Sequence, residues 1–263
     1  MDHLIEPYYL VAYHSAVCNF EIFVNELPAF MHYEGGSLSS QYPINHHILR
    51  SGDQKIRFRV LPLAGEKVLQ KESFFELRIF VYDASQNDYS RQREVFNYSS
   101  RDSVADEEVS IIENASGFKA EVPYTIDGWS RSGVIKEALP DTSSIVYFYQ
   151  HLYSAFDQQH ISLLVDLQND KFNEVDTALY LPRGENESGL TALFDQLNRE
   201  GYVLSGFPEK TITHYYAGDK VAQLVRTDNQ PVIFYEKPIT HETFSLPVYV
   251  HRPESSQSLK IIR

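Results

Sequence analysis

The feature of this sequence that most limits its fold is a change in the spacing of its apolar residues. Up to about residue 123, apolar residues alternate with polar ones or form short runs such as "FEIFV" and "FFELRIFVYD", with turn residues every 8 to 15 positions. From Ile145 the spacing becomes helical, and after Gly201 the alternation returns. Because side chains repeat every two residues in strands and every 3.6 in helices, two different kinds of domain are predicted.

Residues 1–125 are predicted to form an antiparallel β-sandwich of the Ig-like or jelly-roll-like kind. Short strands separated by turn signals are typical of that architecture. Within it, the stretch "YPINHHILRSGDQKIRFRVLP" at 42–62 is predicted to be a hairpin. Ile56, Phe58 and Val60 share one strand face, and the glycine and aspartate of "LRSGDQ" suit a tight turn.

This stretch resembles a hairpin widespread in Ig-like and carbohydrate-binding sandwiches, with a leucine, a glycine turn and an alternating strand that ends in proline. The resemblance implies a carbohydrate-binding accessory module as one alternative for the first domain. That function requires exposed, coplanar aromatic rings. Because the domain has no tryptophan, Tyr33, Tyr42 or Tyr89 would have to supply them.

Residues 126–139 are predicted to be a connector, because they are rich in Gly, Ser and other polar residues. Residues 140–263 are predicted to form an α+β domain. Three helical segments come first, and the third, "LTALFDQLNREG", stops at Gly201, a residue that favours a left-handed helix cap. Six alternating segments follow and predict an antiparallel meander sheet, on which the helices bury their apolar faces.

The order of elements over 140–263 is similar to that of the NTF2-like cone, and to cystatin-like folds with helices packed on a meander. In the NTF2-like family, helices close over a curved sheet and leave a pocket between the two layers. The family usually has a short strand between its second and third helices, for which "TALYL" at 177–181 is available. The resemblance implies a pocket that could serve a small-molecule-binding protein or a lyase or isomerase.

Candidate residues for that pocket come from the predicted helices and strands. Asp176 lies near the end of the second helix, and His214 and Tyr216 share a strand face. A His-Asp-Tyr group of this kind could abstract a proton or dehydrate a small substrate. Tyr147 and Tyr180 are further candidates for lining the pocket. The alternative is that these side chains are ordinary packed groups with polar tips in water.

The connector carries the segment "GWSRSG" at 128–133, which comes near a nucleophile elbow. Its spacing is not Gly-x-Ser-x-Gly, and no strand before it or helix after it supports that function. Trp129, the only tryptophan, could instead act with Arg131 as an exposed anchor for a partner. The alternative is that Trp129 fills a gap between the domains.

Neither a metal site nor a cofactor site is predicted. The sequence has no phosphate-cradling glycine loop and no His-Glu-x-x-His pair. His241 and Glu242 are adjacent and His251 lies ten residues on, which is not a regular ligand spacing. His46 and His47 are neighbours on a predicted strand and would point to opposite faces, so a shared metal ion is not expected.

The chain is acidic, with 36 Asp and Glu against 23 Lys and Arg and a net charge of -13. The excess is divided almost evenly between the two halves, so no basic patch forms, and nucleic acid and anionic membranes are not expected as partners. A basic protein partner is the sharper alternative to simple solubility. Cys18 is the single cysteine, which excludes an internal disulfide and a Cys-rich zinc site.

A non-enzymatic interaction protein is therefore the first hypothesis, with an antagonist or immunity-type protein as one form of it. The pocket protein or enzyme and the carbohydrate-binding module are the alternatives. An unpaired edge of the C-terminal sheet would support a homodimer. The sequence as given shows no positively charged signal region, with no Lys or Arg before Arg50, and no apolar run of about 20 residues, which predicts a cytoplasmic protein.

Overall fold

The computed structural model describes residues 4–86, 88–100, 108–138, 142–256 and 258–263. Within these ranges the protein is mixed α+β, with several antiparallel sheets and four α-helices. The chain divides into two compact units, Met1–Ile126 and Asp127–Arg263. The first is built from strands and the second from helices and strands, so the predicted combination of a β-rich part and an α+β part is confirmed at this level.

The first unit has eight strands in two four-stranded antiparallel sheets. The strands are β1 (Pro7–Ala16), β2 (Asn19–Val24), β3 (Leu27–His32), β4 (Ser37–Pro43), β5 (Gly52–Leu61), β6 (Phe74–Asp83), β7 (Arg93–Ser99) and β8 (Ile112–Ala120). One sheet has the order β4-β1-β6-β7 and the other the order β3-β2-β5-β8.

The inward faces of these two sheets share one hydrophobic core. Phe75 of the first sheet lies with its ring centre 5.0 Å from that of Phe20 and 5.5 Å from that of Phe58, both in the second sheet. Ile56, Phe58 and Val60 are buried on one face of β5, as the alternation predicts. Rings and branched side chains on facing strands therefore hold the two layers together.

The prediction of a hairpin at 42–62 is wrong. The strand before the turn, β4, pairs with β1, whereas the strand after it, β5, pairs with β2 and β8 in the other sheet. The connection contains a single turn of 3-10 helix at Asn45–His47. Ile44 and Ile48, on either side of that turn, are fully buried. With these two side chains in the core, the chain crosses from one sheet to the other. A hairpin would have kept both strands in the same sheet.

Asn45 secures this crossing. Its side chain is fully buried. The amide oxygen accepts a hydrogen bond from the backbone N–H of Tyr9 at 2.6 Å, and the amide nitrogen donates to the backbone carbonyl of Pro7 at 2.9 Å. The backbone carbonyl of Asn45 accepts from the hydroxyl of Tyr124 at 2.9 Å. One side chain thus satisfies two buried backbone groups of β1, which makes it expensive to remove.

The second unit begins with the short helix α1 (Ile135–Ala138) and continues with α2 (Ser143–Asp157), α3 (Ile161–Ala178) and α4 (Glu185–Glu200). The last three are the predicted helices. As predicted, α4 ends at Gly201, which has a φ of 78°. The segment 177–181 forms no strand, because α3 continues to Ala178 and a turn follows. Within the described ranges, no helix has the length and apolarity needed to cross a bilayer.

The six predicted strand segments of the second unit are all present, as seven strands because the fifth segment divides in two at Pro247, but they do not form one meander. The strands are β9 (Val203–Leu204), β10 (Thr211–Tyr216), β11 (Val221–Arg226), β12 (Ile233–Glu236), β13 (Thr243–Leu246), β14 (Val250–His251) and β15 (Lys260–Ile261). They form two sheets with the orders β10-β11-β14-β15 and β13-β12-β9. Pro247 ends β13 at Leu246, and the chain then enters the other sheet at Val250, because proline cannot donate to a ladder.

We predict that Asn45→Ala destabilises the first unit by about 2–4 kcal/mol, because it leaves a buried N–H and a buried carbonyl of β1 without partners. Amide hydrogen exchange of β1 measures this local loss of stability. Gln41→Ala is the matched control, since Gln41 lies exposed on β4 and makes no side-chain hydrogen bond within the described ranges. Equal protection of β1 in the two variants would contradict the role given to Asn45.

Candidate functional site

A cavity of about 480 Å³ opens in the second unit. Its wall comes from three segments: the start of the unit at 127–131, one face of α3, and the C-terminal residues from His251 to Ile262. Most of the lining residues are polar or charged. Pro253 and Ile262 add apolar surface.

His251 is the buried polar residue of this wall. Its side chain is 5% exposed, and its Nδ1 lies 2.7 Å from the Oγ of Ser132, which is 1% exposed. Its Nε2 is buried and has no hydrogen-bond partner in the part of the chain that the structure describes. An unpaired buried ring nitrogen is costly, so this atom is a candidate contact for a ligand.

The backbone explains why Ser132 meets His251. The segment after Trp129 runs antiparallel to the residues that follow β14, with an isolated bridge between Ser132 and Pro253. The N–H of Gly133 donates to the carbonyl of Arg252 at 3.0 Å. The predicted connector is thus built into the second unit as an irregular strand beside the C-terminal segment.

Two ion pairs join α3 to the C-terminal segment. Asp170 and Glu174 are four residues apart and therefore share a helix face. Asp170 pairs with Lys260 at 2.6 Å, and Glu174 pairs with Arg263 at 2.8 Å. The second carboxylate oxygen of Glu174 accepts from the backbone N–H of Gly128 at 2.8 Å. Glu174 therefore connects all three segments of the cavity wall.

Burial and neighbouring charges determine the protonation state of His251 in this wall. The pKa of His251 is lowered to about 4. Burial is the largest cause, the positive charges of Arg263 and Lys260 act in the same direction, and Asp170 opposes them. Burial lowers the pKa of Lys171 to about 8, again with a contribution from Arg263. His251 is thus a neutral imidazole at neutral pH.

The arrangement suits ligand binding better than nucleophilic catalysis. Ser132 belongs to the "GWSRSG" segment and contacts a histidine, but its hydroxyl is buried and contacts Nδ1. A serine nucleophile must be reachable by its substrate. Among the described residues, no group of three or more His, Cys, Asp or Glu side chains could hold a metal ion.

The predicted residues Asp176 and His214 have separate partners. Asp176 is buried and accepts hydrogen bonds from the backbone N–H groups of Gly184, at 2.8 Å, and Asn186, at 3.2 Å, so it anchors the start of α4. His214 contacts Asn229 at 3.0 Å. Tyr216 is near His214, with their ring centres 6.4 Å apart. Neither Asp176 nor His214 lines the cavity, and neither has the other as a hydrogen-bond partner.

The other predicted residues lie as follows. Tyr147 is 74% exposed on α2, and Tyr180 is partly buried in the turn after α3. Trp129 is 6% exposed, with the guanidinium carbon of Arg263 5.4 Å from its ring centre, so it is not an exposed anchor. Arg131 pairs with Asp127 at 3.3 Å. It is the one predicted site residue that lines the cavity.

The sequence reasoning missed the central residues of this site. Ser132 and His251 are separated by 119 residues. A usable signal was nevertheless present: an acidic pair at helical spacing in the second helix, Asp170 and Glu174, and two cations, Lys260 and Arg263, in the last four residues. Opposite charges on two elements of one domain suggest a contact between them.

Comparison with protein-family models, with curated proteins and with solved structures gave no match. The functional argument therefore rests on the geometry of the cavity.

We predict that the second unit loses about 3 kcal/mol of stability between pH 6.5 and pH 4. The folded pKa of His251, about 4, lies below the ordinary value of 6.5. Within this pH range the unfolded chain binds a proton at His251 and the folded chain does not. The free energy of unfolding is therefore highest above pH 6.5 and decreases as the pH falls toward 4.

Urea unfolding followed by the fluorescence of Trp129 measures this loss in the second unit. In His251→Asn the titrating group is gone, and the pH dependence should flatten. His151→Asn is the control, because His151 is exposed on α2 and its variant should keep the dependence. A steep dependence that survives in His251→Asn would contradict the prediction.

Proposed function

We propose that this protein binds a small polar molecule in the cavity of the second unit, with His251 at the point of contact. The observation that carries the proposal is that His251 lines the cavity while its buried Nε2 has no hydrogen-bond partner among the described residues. A ligand would supply that partner once a small movement of the wall opens Nε2 to the cavity. The volume of about 480 Å³ lies within the usual range for small-molecule sites, about 300–1,000 Å³.

Binding has more support than a lyase or isomerase reaction. The catalytic hypothesis used Asp176, His214 and Tyr216, but Asp176 already accepts backbone hydrogen bonds at the start of α4. A carboxylate whose oxygens already accept backbone hydrogen bonds has a structural role and is poorly placed to accept a proton from a substrate. His251 is neutral at neutral pH and can hold a ligand group without changing its charge.

The finer fold classes are also proposals. Two facing sheets with a shared core support a β-sandwich for the first unit, either Ig-like or jelly-roll-like. Helices followed by antiparallel strands support an NTF2-like or cystatin-like class for the second unit, although the family's strand between the second and third helices has no counterpart at 177–181. For a carbohydrate-binding function, Tyr42 gives little support because it packs at the core beside Phe30.

A ligand screen with paired variants tests the binding function. We expect compounds that shift the NMR resonances of the wild-type cavity to bind His251→Asn at least about tenfold more weakly, because the variant lacks Nε2. Asparagine can still reach Ser132, since its amide lies near the position of Nδ1, so the fold should persist. His151→Asn should bind as the wild type does. A screen in which no compound distinguishes wild type from His251→Asn would overturn the proposal.

A second candidate function, an acidic surface for a basic protein partner, is favoured by one observation. Residues 157–200, which hold α3 and α4, carry nine acidic and three basic residues. Asp166, Glu185, Glu187 and Asp195 are exposed there and make no ion pair within the described ranges. Such a surface would steer a basic partner toward the helices. A homodimer and a cytoplasmic location remain predictions from the sequence.

Co-purification from the native host tests this second candidate. The wild type should retain a stoichiometric partner at moderate salt. The variant in which these four acids become Asn or Gln should lose this partner, because the negative charges that attract it are gone. The control variant neutralises four exposed acids of the first unit, namely Glu34, Glu72, Glu108 and Glu121. Loss of the partner in both variants, or in neither, would contradict a role for the helices.

A further inference from the structure

We propose that the first unit binds a neutral saccharide on the outer face of its β4-β1-β6-β7 sheet. A cavity of about 350 Å³ opens on this face, a volume within the range of small-molecule sites. Its lining residues come from the three adjacent strands β4, β1 and β6. The cavity belongs to a different unit from that of His251, so this inference does not depend on the proposed function.

The cavity forms around Ala12, in the middle of β1. Ala12 lies directly opposite Gln41 of β4 on one side and Arg78 of β6 on the other. Directly opposed residues of an antiparallel sheet point to the same face. Here it is the face away from the core, because the neighbours Val11 and Tyr13 are buried in the core. The short side chain of Ala12 is therefore the floor between two long polar side chains.

Alanine is an unusual residue for this position. It is depleted in strands, where branched and aromatic side chains cover the surface of a sheet better. Between Gln41 and Arg78 it leaves a depression that a threonine or valine would fill. Such departures from the local rules of a fold are expected at functional sites, so Ala12 supports a site at this place.

The side chains around Ala12 can both donate and accept hydrogen bonds. The amide of Gln41 offers an acceptor oxygen and a donor nitrogen, and it makes no side-chain hydrogen bond within the described ranges. Across the floor, Glu76 and Arg78 form an ion pair on β6, which places an acceptor beside a donor. The strands of Gln41 and Arg78 are about 10 Å apart, twice the spacing of neighbouring strands. A ligand that bridges this gap needs groups that both donate and accept, as hydroxyls do.

The charges of the wall favour a neutral ligand. Among the lining residues, Glu76 is the only carboxylate and Arg78 the only lysine or arginine, and they pair with each other. Beyond the rim, Glu94 lies 3.9 Å from Arg78 and adds a second carboxylate. An anionic ligand would meet more negative than positive charge. A cationic ligand would have to compete with Arg78 for both carboxylates.

Aromatic side chains continue the cavity at one end. Along β6, the side chains on this face change from charged at Glu76 to aromatic at Phe80 and Tyr82. Phe80 lines the cavity and is half-buried. Tyr89 is exposed, with its ring centre 4.8 Å from that of Tyr82. A sugar ring has hydroxyls at its edge and C–H groups on its faces, so it matches polar side chains that end at aromatic rings.

NMR titration of the whole chain tests the site, with the side-chain amide of Gln41 as the reporter. We expect a neutral trisaccharide, from a panel of cellotriose, maltotriose and mannotriose, to shift this amide at millimolar concentration. The anion trigalacturonate and the cationic trimer of glucosamine should bind at least about tenfold more weakly than that trisaccharide, because the charges of the wall are already paired.

A pair of matched variants locates the site, with the backbone amide of His14 as the reporter. Ala12→Leu fills the floor of the cavity and should weaken binding at least about tenfold, while the added side chain projects away from the core. Ala115→Leu is the control, because Ala115 is exposed on β8 in the other sheet, and it should leave binding unchanged. Gln41→Ala keeps the cavity open and should weaken binding several-fold through lost hydrogen bonds.

The outcomes separate this inference from the proposed function. Failure of all three trisaccharides to shift the Gln41 amide, binding that Ala12→Leu leaves unchanged, or tighter binding of a charged trimer would overturn the inference. Weaker binding in Ala12→Leu but not in Ala115→Leu, with wild-type methyl resonances of the core in both, would support it. If Ala12→Leu lost those resonances, Gln41→Ala would decide. The proposed function is tested separately, at His251.

Discussion

The buried ion pair between Glu174 and Arg263 is the interaction on which the second unit's site depends. Glu174 lies on α3, Arg263 is the last residue of the C-terminal segment, and the same carboxylate also accepts the N–H of Gly128. Arg263 in turn covers the ring of Trp129. Such a pair adds little net stability, because desolvation offsets the attraction. Removing one partner is nevertheless destabilising, because it leaves the other as an uncompensated buried charge. Its role is to specify the relative position of three segments, together with the Asp170–Lys260 pair and the bridge between Ser132 and Pro253.

Local features of the fold could be predicted from the sequence because they depend on neighbours in the chain. Helical spacing placed α2, α3 and α4, and Gly201 marked the end of α4 because glycine adopts positive φ without strain. The alternation of Ile56, Phe58 and Val60 identified the buried face of β5. Each of these inferences needed only a periodicity or a single backbone preference.

Strand pairing could not be predicted in the same way, because alternation states which face is buried and not which strand is the partner. The turn residues at 51–53 looked like a hairpin, yet buried side chains before them carried the chain into the other sheet. The site was missed for the related reason that its members are far apart in sequence. The glycine and serine of 127–133 are typical of a linker, but the backbone of 252–254 and the side chain of Glu174 give that segment distant partners.

The cavity wall joins the first residues of the second unit to its last, a feature with a consequence for the order of folding. The contact between Ser132 and His251 closes a loop of more than 100 residues, and because the entropic cost of closing a loop rises with its length, we expect this contact to form late in folding. If the terminal segment detached while the helices stayed folded, the partly open unit would have no cavity wall and so no site. A molecule that occupies the cavity therefore stabilises only the fully folded unit, because it binds the two ends of the unit when they are together.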